Sequence, residues 1–319
     1  MLTYADIEAA RNRVENVIRP VAVAQSDPVK RDAERGSNQG TVQLALEFMQ
    51  FTGTFKARGA QNFILAHRDA GTLPDAGVTI ASGGNAGMAC AWAAKDQMVP
   101  ATVFLPANAP RIKVDRLRGY GADVRLVGSE YAEALAACEE FAAATGALMS
   151  HAYDHPLIAA GAGTLMEEIH AQIPDLDTVL VAVGGGGLFS GVATVAQHYG
   201  IRTIAVEPEN CRALNAALGA GHPVDVAVES VAADALGARR ASVMALQAAQ
   251  HELVQSVLVP DEEIIRARQA LWSEHRLAVE HGAATALAGL LSPAGYMPAE
   301  NEKVCVVLCG ANTDPSDLT

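Results

Sequence analysis

Short runs of apolar, β-branched residues alternate along this chain with longer Ala-rich stretches whose apolar positions recur at helical spacing. VTIAS is followed by GMACAWAAK, ATVFL by RIKVDRLRGY, and VRLVG by YAEALAACEEFAAATG. The alternation resumes with TVLVAVG and SGVATVAQHYG, continues with TIAVEPE and CRALNAALG, and closes on KVCVVLCG. Strand-length runs without polar alternation are buried on both faces, so the pattern predicts an α/β fold of parallel strands covered by helices. Sheets of this kind bind ligands where loops leave the carboxyl ends of the strands. The charged segment Gln25 to Gly40 carries neither periodicity and is expected to be a surface loop; the tail Thr313 to Thr319 is expected to fray. No repeat of fixed period and no linker-like run divides the chain, and 319 residues correspond to two domains at ~150 residues each.

Composition narrows the classes. Hydrophobic residues make up 50% and charged residues 18%, which excludes disorder, and no stretch approaches the ~18 uninterrupted apolar residues of a membrane span. The start, MLTYADIEAARNRVE, is amphipathic and acid-bearing, unlike a secretory signal, so a cytoplasmic location is expected. Five scattered cysteines (Cys90, Cys138, Cys211, Cys305, Cys309) without a CxxC predict reduced thiols rather than a disulfide frame or a zinc cluster. A net charge of −13 with 5% aromatic residues argues against a nucleic-acid groove. An enzyme or binding protein for small molecules remains.

Four segments carry chemistry. In Phe51-Thr-Gly-Thr-Phe-Lys-Ala-Arg-Gly-Ala60, Lys56 opens a helix, where the helix dipole and neighbouring Arg58 are expected to lower its pKa toward a nucleophilic amine. By itself the lysine also reads as a solvated residue at a helix start. Ala81-Ser-Gly-Gly-Asn-Ala-Gly87 joins a strand to a helix and offers free backbone N–H groups to an anion such as a carboxylate, although a tight corner would look the same. Gly184, Gly185, Gly186 and Gly187 follow a buried strand and precede a helix from Leu188 to His198, a candidate phosphate cup. The same residues, with Ser190 and Glu207, nearly match a dinucleotide fingerprint. Cys309 ends the last apolar strand at the ligand-binding edge, or is with Cys305 a small core residue. The His151 and His155 pair has metal-ligand spacing only on a helix, which Pro156 disfavours.

Taken in order, TGTFKARGA, SGGNAG, GGGGL, VEPE and CGAN resemble the fold-type II pyridoxal-phosphate enzymes (the tryptophan synthase β-like fold), most closely the serine/threonine dehydratase branch that includes serine racemase. The resemblance spans about residues 41 to 312. It implies two three-layer α/β domains with the cofactor between them, a large one of residues 1–70 and 152–319 and an inserted small one of residues 71–151. Pyridoxal 5'-phosphate would be held by Phe55, Lys56, Asn85, Gly184, Gly185, Gly186, Gly187, Leu188 and Cys309, and more loosely by Gly237. Lys56 would form the Schiff base and be the catalytic residue, Phe55 would pack on the ring, Asn85 would bond the ring hydroxyl, and Cys309 would face the ring nitrogen. Ser82, Gly84, Asn85 and Ala86 would bind the substrate carboxylate, with Tyr153 a further substrate contact and a homodimer the implied assembly.

The expected reaction is β-elimination from L-threonine or L-serine to a 2-oxo acid and ammonia. Gly83 disfavours racemisation, because serine racemase has a second serine there. Hydroxyaspartate dehydration, cysteine synthase-like replacement, a dinucleotide-dependent oxidoreductase and a non-catalytic amino-acid sensor are the alternatives, and His151, Tyr153 and His155 are the residues to test for hydroxyaspartate. The chain departs from the branch at Ala86, where histidine is usual, and at Ala162, where glutamine is common. Glu207 matches its cation site, but Cys211 and Ala213 do not, so no metal is assigned.

Overall fold

The computed structural model describes residues 1–26 and 41–318. Residues 27–40, most of the expected surface loop, lie outside them. Helix α1 (Tyr4–Val14) opens the chain on a capping box in which Thr3 and Asp6 exchange hydrogen bonds. Strands β1 (Val23–Gln25) and β2 (Thr41–Ala45) precede α2 (Lys56–Asp69). Then come β3 (Val78–Ala81), α3 (Asn85–Asp96), β4 (Ala101–Leu105), α4 (Arg111–Gly119), β5 (Asp123–Leu126), α5 (Tyr131–Thr145) and β6 (Leu148–Met149). The next stretch is α6 (Pro156–Gln172), β7 (Thr178–Ala182), α7 (Gly187–His198), β8 (Arg202–Pro208) and the short helices α8 (Ala213–Ala220), α9 (Ala233–Leu236) and α10 (Val243–Ala249). Strand β9 (Val254–Val259), α11 (Asp261–His275), α12 (His281–Leu291) and β10 (Lys303–Val307) complete it.

Two sheets form, as the alternation predicts. One has the order β1-β2-β10-β7-β8-β9 and is parallel except for β1, which runs antiparallel to β2; the other is the parallel set β5-β4-β3-β6. Every residue of β3, β4 and β7 is buried, the signature of strands covered on both faces. The strands of the smaller sheet all lie between Val78 and Met149. Its core nevertheless recruits Ala60, Phe63 and Ile64 of α2 and Ile158 of α6, from outside that span.

Helices α6 and α7 cross closely: a Cβ on Gly163 would lie 2.9 Å from the Gly191 Cα. That approach ties α7, which begins in the glycine run, to α6, which packs along α2. The tail as far as Leu318, its last described residue, does not fray. Leu318 is buried, and Asp317 pairs with the buried Arg268 at 2.5 Å. No helix among the described residues is long and apolar enough to cross a membrane.

Candidate active site

Lys56 is placed by the end of β10. The Phe55 N–H donates to the Cys309 carbonyl (3.0 Å), and Thr54 and Gly310 form an antiparallel bridge, so the residues that enter α2 are docked on the strand that carries Cys309. The chain reaches that position through Thr52 and Gly53, both left-handed at φ 62° and 75°. The Lys56 amine donates to the Ala152 carbonyl (3.0 Å) and lies 4.6 Å from the centroid of the Phe55 ring. Burial lowers its pKa to about 8, against the opposing pull of Cys309 and Glu280.

Arg58 does not contribute as expected. Its guanidinium is fully buried and forms two-pronged pairs with Glu47 (2.7 and 2.9 Å) and Glu168 (2.6 and 2.9 Å). The two carboxylates neutralise the field it would have exerted on Lys56 and hold its own pKa above the ordinary value. The sequence brings Arg58 near Lys56 along the chain, but the helix turns the two side chains to different partners.

The Ser82–Gly84 turn links β3 to α3, and the Gly84 N–H donates to Ser82 Oγ (3.3 Å). Ser82, Gly83, Gly84 and Asn85 are half-buried and Ala86 is buried. The N–H groups of Asn85, Ala86 and Gly87 donate to no acceptor among the described residues, as the first turn of a helix leaves them. They suit a carboxylate. The Asn85 side chain enters a network that the sequence did not reveal. Its Nδ2 donates to both oxygens of Glu280 (2.9 and 3.1 Å), while its Oδ1 accepts from Asn312 Nδ2 (2.9 Å).

The glycine run has the form of an anion cradle. The N–H groups of Gly184, Gly185, Gly186, Gly187 and Leu188 donate to nothing among the described residues, at the positive end of α7. Gly186 is left-handed (φ 97°), and a Cβ on it would lie 2.3 Å from the Ala245 Cβ. A Cβ on Gly185 would lie 2.3 Å from the Tyr153 ring, so Tyr153 stands against the run; its hydroxyl donates to the Arg240 carbonyl (3.2 Å). Gly237 ends α9, whose Leu236 backbone lies against Gly184. These free donors and absent side chains fit a phosphate group, and with Lys56 they fit pyridoxal phosphate.

A cavity about the size of one water molecule brings several of these elements together: Phe55, Lys56, Ala86, His151, Ala162 and Gly187 all line it. Cys309 is buried, and burial pushes its thiol up to about 12, so it stays neutral. His151 accepts from the N–H groups of Tyr153 (3.2 Å) and Asp154 (2.8 Å), and burial lowers its pKa. His155 caps α6 by accepting from the Leu157 N–H (3.2 Å), with Pro156 as the first helical residue. Histidines 151 and 155 therefore do not share a helix. Glu207 is turned to the start of α8, where it accepts from the N–H groups of Leu214 (2.7 Å) and Asn215 (2.8 Å). Among the described residues no group of three or more His, Cys, Asp or Glu side chains could hold a metal ion.

Glu280 and Asn312 are the residues that sequence reasoning missed. The available signal was an acid directly ahead of an Ala-rich helix, the place of an N-cap.

With this geometry in hand, comparison with known proteins is specific. Residues 27–310 match the family model described as pyridoxal-phosphate dependent enzyme. The chain is 35% identical over 321 residues to an L-threonine ammonia-lyase of Geobacter sulfurreducens, covering 100% of this chain and 78% of the relative. It is 32% identical over 316 residues to an L-threonine ammonia-lyase of Thermotoga maritima, covering 98% and 76%. Maize serine racemase superposes with a TM-score of 0.88 at 28% identity, over 99% of this chain and 95% of that one.

Proposed function

The chain belongs to the pyridoxal-phosphate-dependent enzyme family, and from that premise we propose that it eliminates the β-hydroxyl of L-threonine or L-serine as water, after which the enamine product takes up water and gives a 2-oxo acid and ammonia. The observation that carries this reading is Lys56, an amine whose pKa is lowered to about 8, which shares a small cavity with Gly187 of the glycine run and Ala86 of the first turn of α3 and follows Phe55, docked on the Cys309 carbonyl. Identity to L-threonine ammonia-lyases supports the reaction type.

Bound pyridoxal phosphate supplies an electron sink that acidifies the Cα–H of an attached amino acid. The protein's part is to hold, orient and move protons. Gly184 to Leu188 would hold the phosphate, Phe55 would pack on the ring, Gly237 would close the edge beside Leu236, and Asn85 would meet the ring hydroxyl. The N–H groups of Asn85 and Ala86, with Ser82 and Gly84, would hold the substrate carboxylate, leaving Tyr153 near the side chain. Lys56, about half neutral near pH 8, would take the Cα proton. Cys309 would face the ring nitrogen with a neutral thiol in place of a carboxylate, an environment that would favour prompt loss of the β-hydroxyl.

We assign residues 71–151 as the unit carrying the carboxylate turn, inserted between residues 1–70 and 152–319. Lys113 of α4 and Asp234 of α9 pair across the two at 3.2 Å. Drawing them together would exclude water from the substrate. We also take the active assembly to be a homodimer.

Similarity to serine racemase favours racemisation as the second reading. Gly83 speaks against it: the position has no proton-bearing side chain, and a Cβ there would lie 2.7 Å from the Leu105 Cδ2. The test is ammonia release from L- and D-serine, L- and D-threonine and 3-hydroxyaspartate, with chiral analysis of recovered serine and Lys56→Ala as control. Release from L-threonine or L-serine that is lost in the variant is the expected result. Equal release by the variant, or racemisation without ammonia, overturns the proposal.

A further inference from the structure

Glu280 is nearly fully buried, 8% exposed, yet no cationic side chain pairs with it directly among the described residues. Its carboxylate is held by amides. Oε1 accepts from Asn85 Nδ2 (2.9 Å) and from the Asn312 N–H (2.9 Å), and Oε2 accepts from Asn85 Nδ2 (3.1 Å). Its own N–H donates to the Gly310 carbonyl (3.0 Å), and Gly310 leaves the room: a Cβ there would lie 2.9 Å from Oε2.

The chemistry of the partners fixes both amide orientations. Asn312 must turn its Nδ2 to the Thr52 carbonyl (2.7 Å), and it offers the same group to Asn85 Oδ1. A carboxylate only accepts, so Asn85 must turn its Nδ2 to Glu280. Flipping Asn312 would set acceptor against acceptor at Thr52 and Asn85, and flipping Asn85 would set its oxygen against the carboxylate and its NH₂ against Asn312 Nδ2. The network runs from the turn before α2, through the end of β10, to the first residue of α3, and so ties three of the segments that surround Lys56.

We propose that Glu280 is a positioning residue, which fixes the Asn85 amide beside the place of the cofactor ring by engaging its Nδ2, and sets a buried carboxylate among the groups that act on Lys56. This rests on the reading of Lys56 and Asn85 as cofactor ligands. The groups facing Glu280 are Lys56 from α2, Cys309 from the end of β10 and Asp234 from α9; those facing Lys56 are Glu280, Cys309 and His151. Burial raises the pKa of Glu280, while the hydrogen bonds from Asn85 and the Asn312 N–H and the nearby Lys56 work against that; Glu280 in turn works to raise the Lys56 pKa.

Glu280→Gln keeps the size and removes the charge. If its oxygen stays where Oε1 is, its NH₂ faces Asn85 Nδ2, and Asn85 must shift. Two readouts separate this role from a merely structural one. In cofactor-free protein, acetylation of Lys56 followed by mass spectrometry across pH 6–10 should show a lower midpoint in the variant, with labelling at pH 7 increased about three- to tenfold. In the holoprotein, pyridoxal phosphate should dissociate about tenfold more readily, with kcat falling more than KM changes.

Glu280→Asp retains the charge but draws the carboxylate back from Asn85, so it should weaken cofactor binding while leaving the labelling midpoint near that of the parent. A folded Glu280→Gln protein with the parent midpoint and parent cofactor affinity would overturn the proposal. Should that variant not fold, parent cofactor affinity in Glu280→Asp would overturn it instead. Because Lys56 labelling needs neither substrate nor turnover, its failure is distinct from an error in the assigned reaction.

Discussion

Arg58→Met removes the cation from a buried pair of carboxylates and leaves a side chain of similar length. The guanidinium has no exposed surface and makes four short contacts to Glu47 and Glu168, with a fifth to Thr164 Oγ1 (3.1 Å). Glu168 keeps 26% side-chain exposure and can turn to water, but Glu47 at 1% cannot. The cost is therefore that of one stranded buried carboxylate, about 3–5 kcal/mol. For a chain of this size that corresponds to a drop in Tm of about 4–8 °C.

Burial already works to raise the Glu47 pKa, and losing Arg58 strengthens that effect. An acid whose folded pKa lies above its unfolded value binds more protons when folded, so its contribution to stability falls as pH rises through that window. The deficit of Arg58→Met should accordingly be larger at pH 8 than at pH 5.5. Adding Glu47→Gln should recover about half of it. Thermal and urea melts of the holoproteins at the two pH values measure all three effects. The Lys56 midpoint near about 8 should not move, since burial and not Arg58 sets it. A single variant within about 1 °C of the parent Tm, or a deficit that grows on acidification, would refute the stranded-charge argument.

Four further outcomes are expected. Pyridoxal phosphate should combine with cofactor-free protein increasingly from pH 7 to 9, with a midpoint near about 8 in the absorbance of the imine, because only the neutral Lys56 amine reacts. In the same protein the lowered Lys56 pKa means the unfolded chain binds more protons above pH 8, so this group adds stability as pH rises from 8 toward its unfolded value. Gly186→Ala should lose about 1–2 kcal/mol from its left-handed backbone and release cofactor on dialysis, since the added Cβ lies 2.3 Å from Ala245. All five cysteines are free and buried, so a disulfide reagent at pH 7.5 should titrate less than one thiol in native protein and five in urea.

The sheets were legible because strands covered on both faces need no polar alternation, and β3, β4 and β7 are apolar and β-branched runs, all buried, whose one polar residue each is a threonine. Strand β9 was not, since Gln255 and Ser256 interrupt its apolar run at the sheet edge. Strands β1 and β6 are too short for any period to register. The glycine run announces itself, because four adjacent residues without Cβ serve little else. Glu280 does not: it looks like any acid before a helix, and only the fold carries it 195 residues back along the chain to Asn85.

Ala86 and Ala162 show what reading positions one at a time overlooks. Each departs from the usual residue of the resembled branch, histidine in one case and glutamine in the other, and each alone counts as a lost polar group. Here both line the same small cavity beside Lys56 and Ile158. Two polar side chains meeting in a buried space can satisfy one another, and replacing only one strands its partner at a cost of about 1–3 kcal/mol. Replacing both removes the donor with its acceptor and leaves an apolar wall. The two departures are chemically consistent as a pair, so neither weakens the case for a cofactor site in front of that wall.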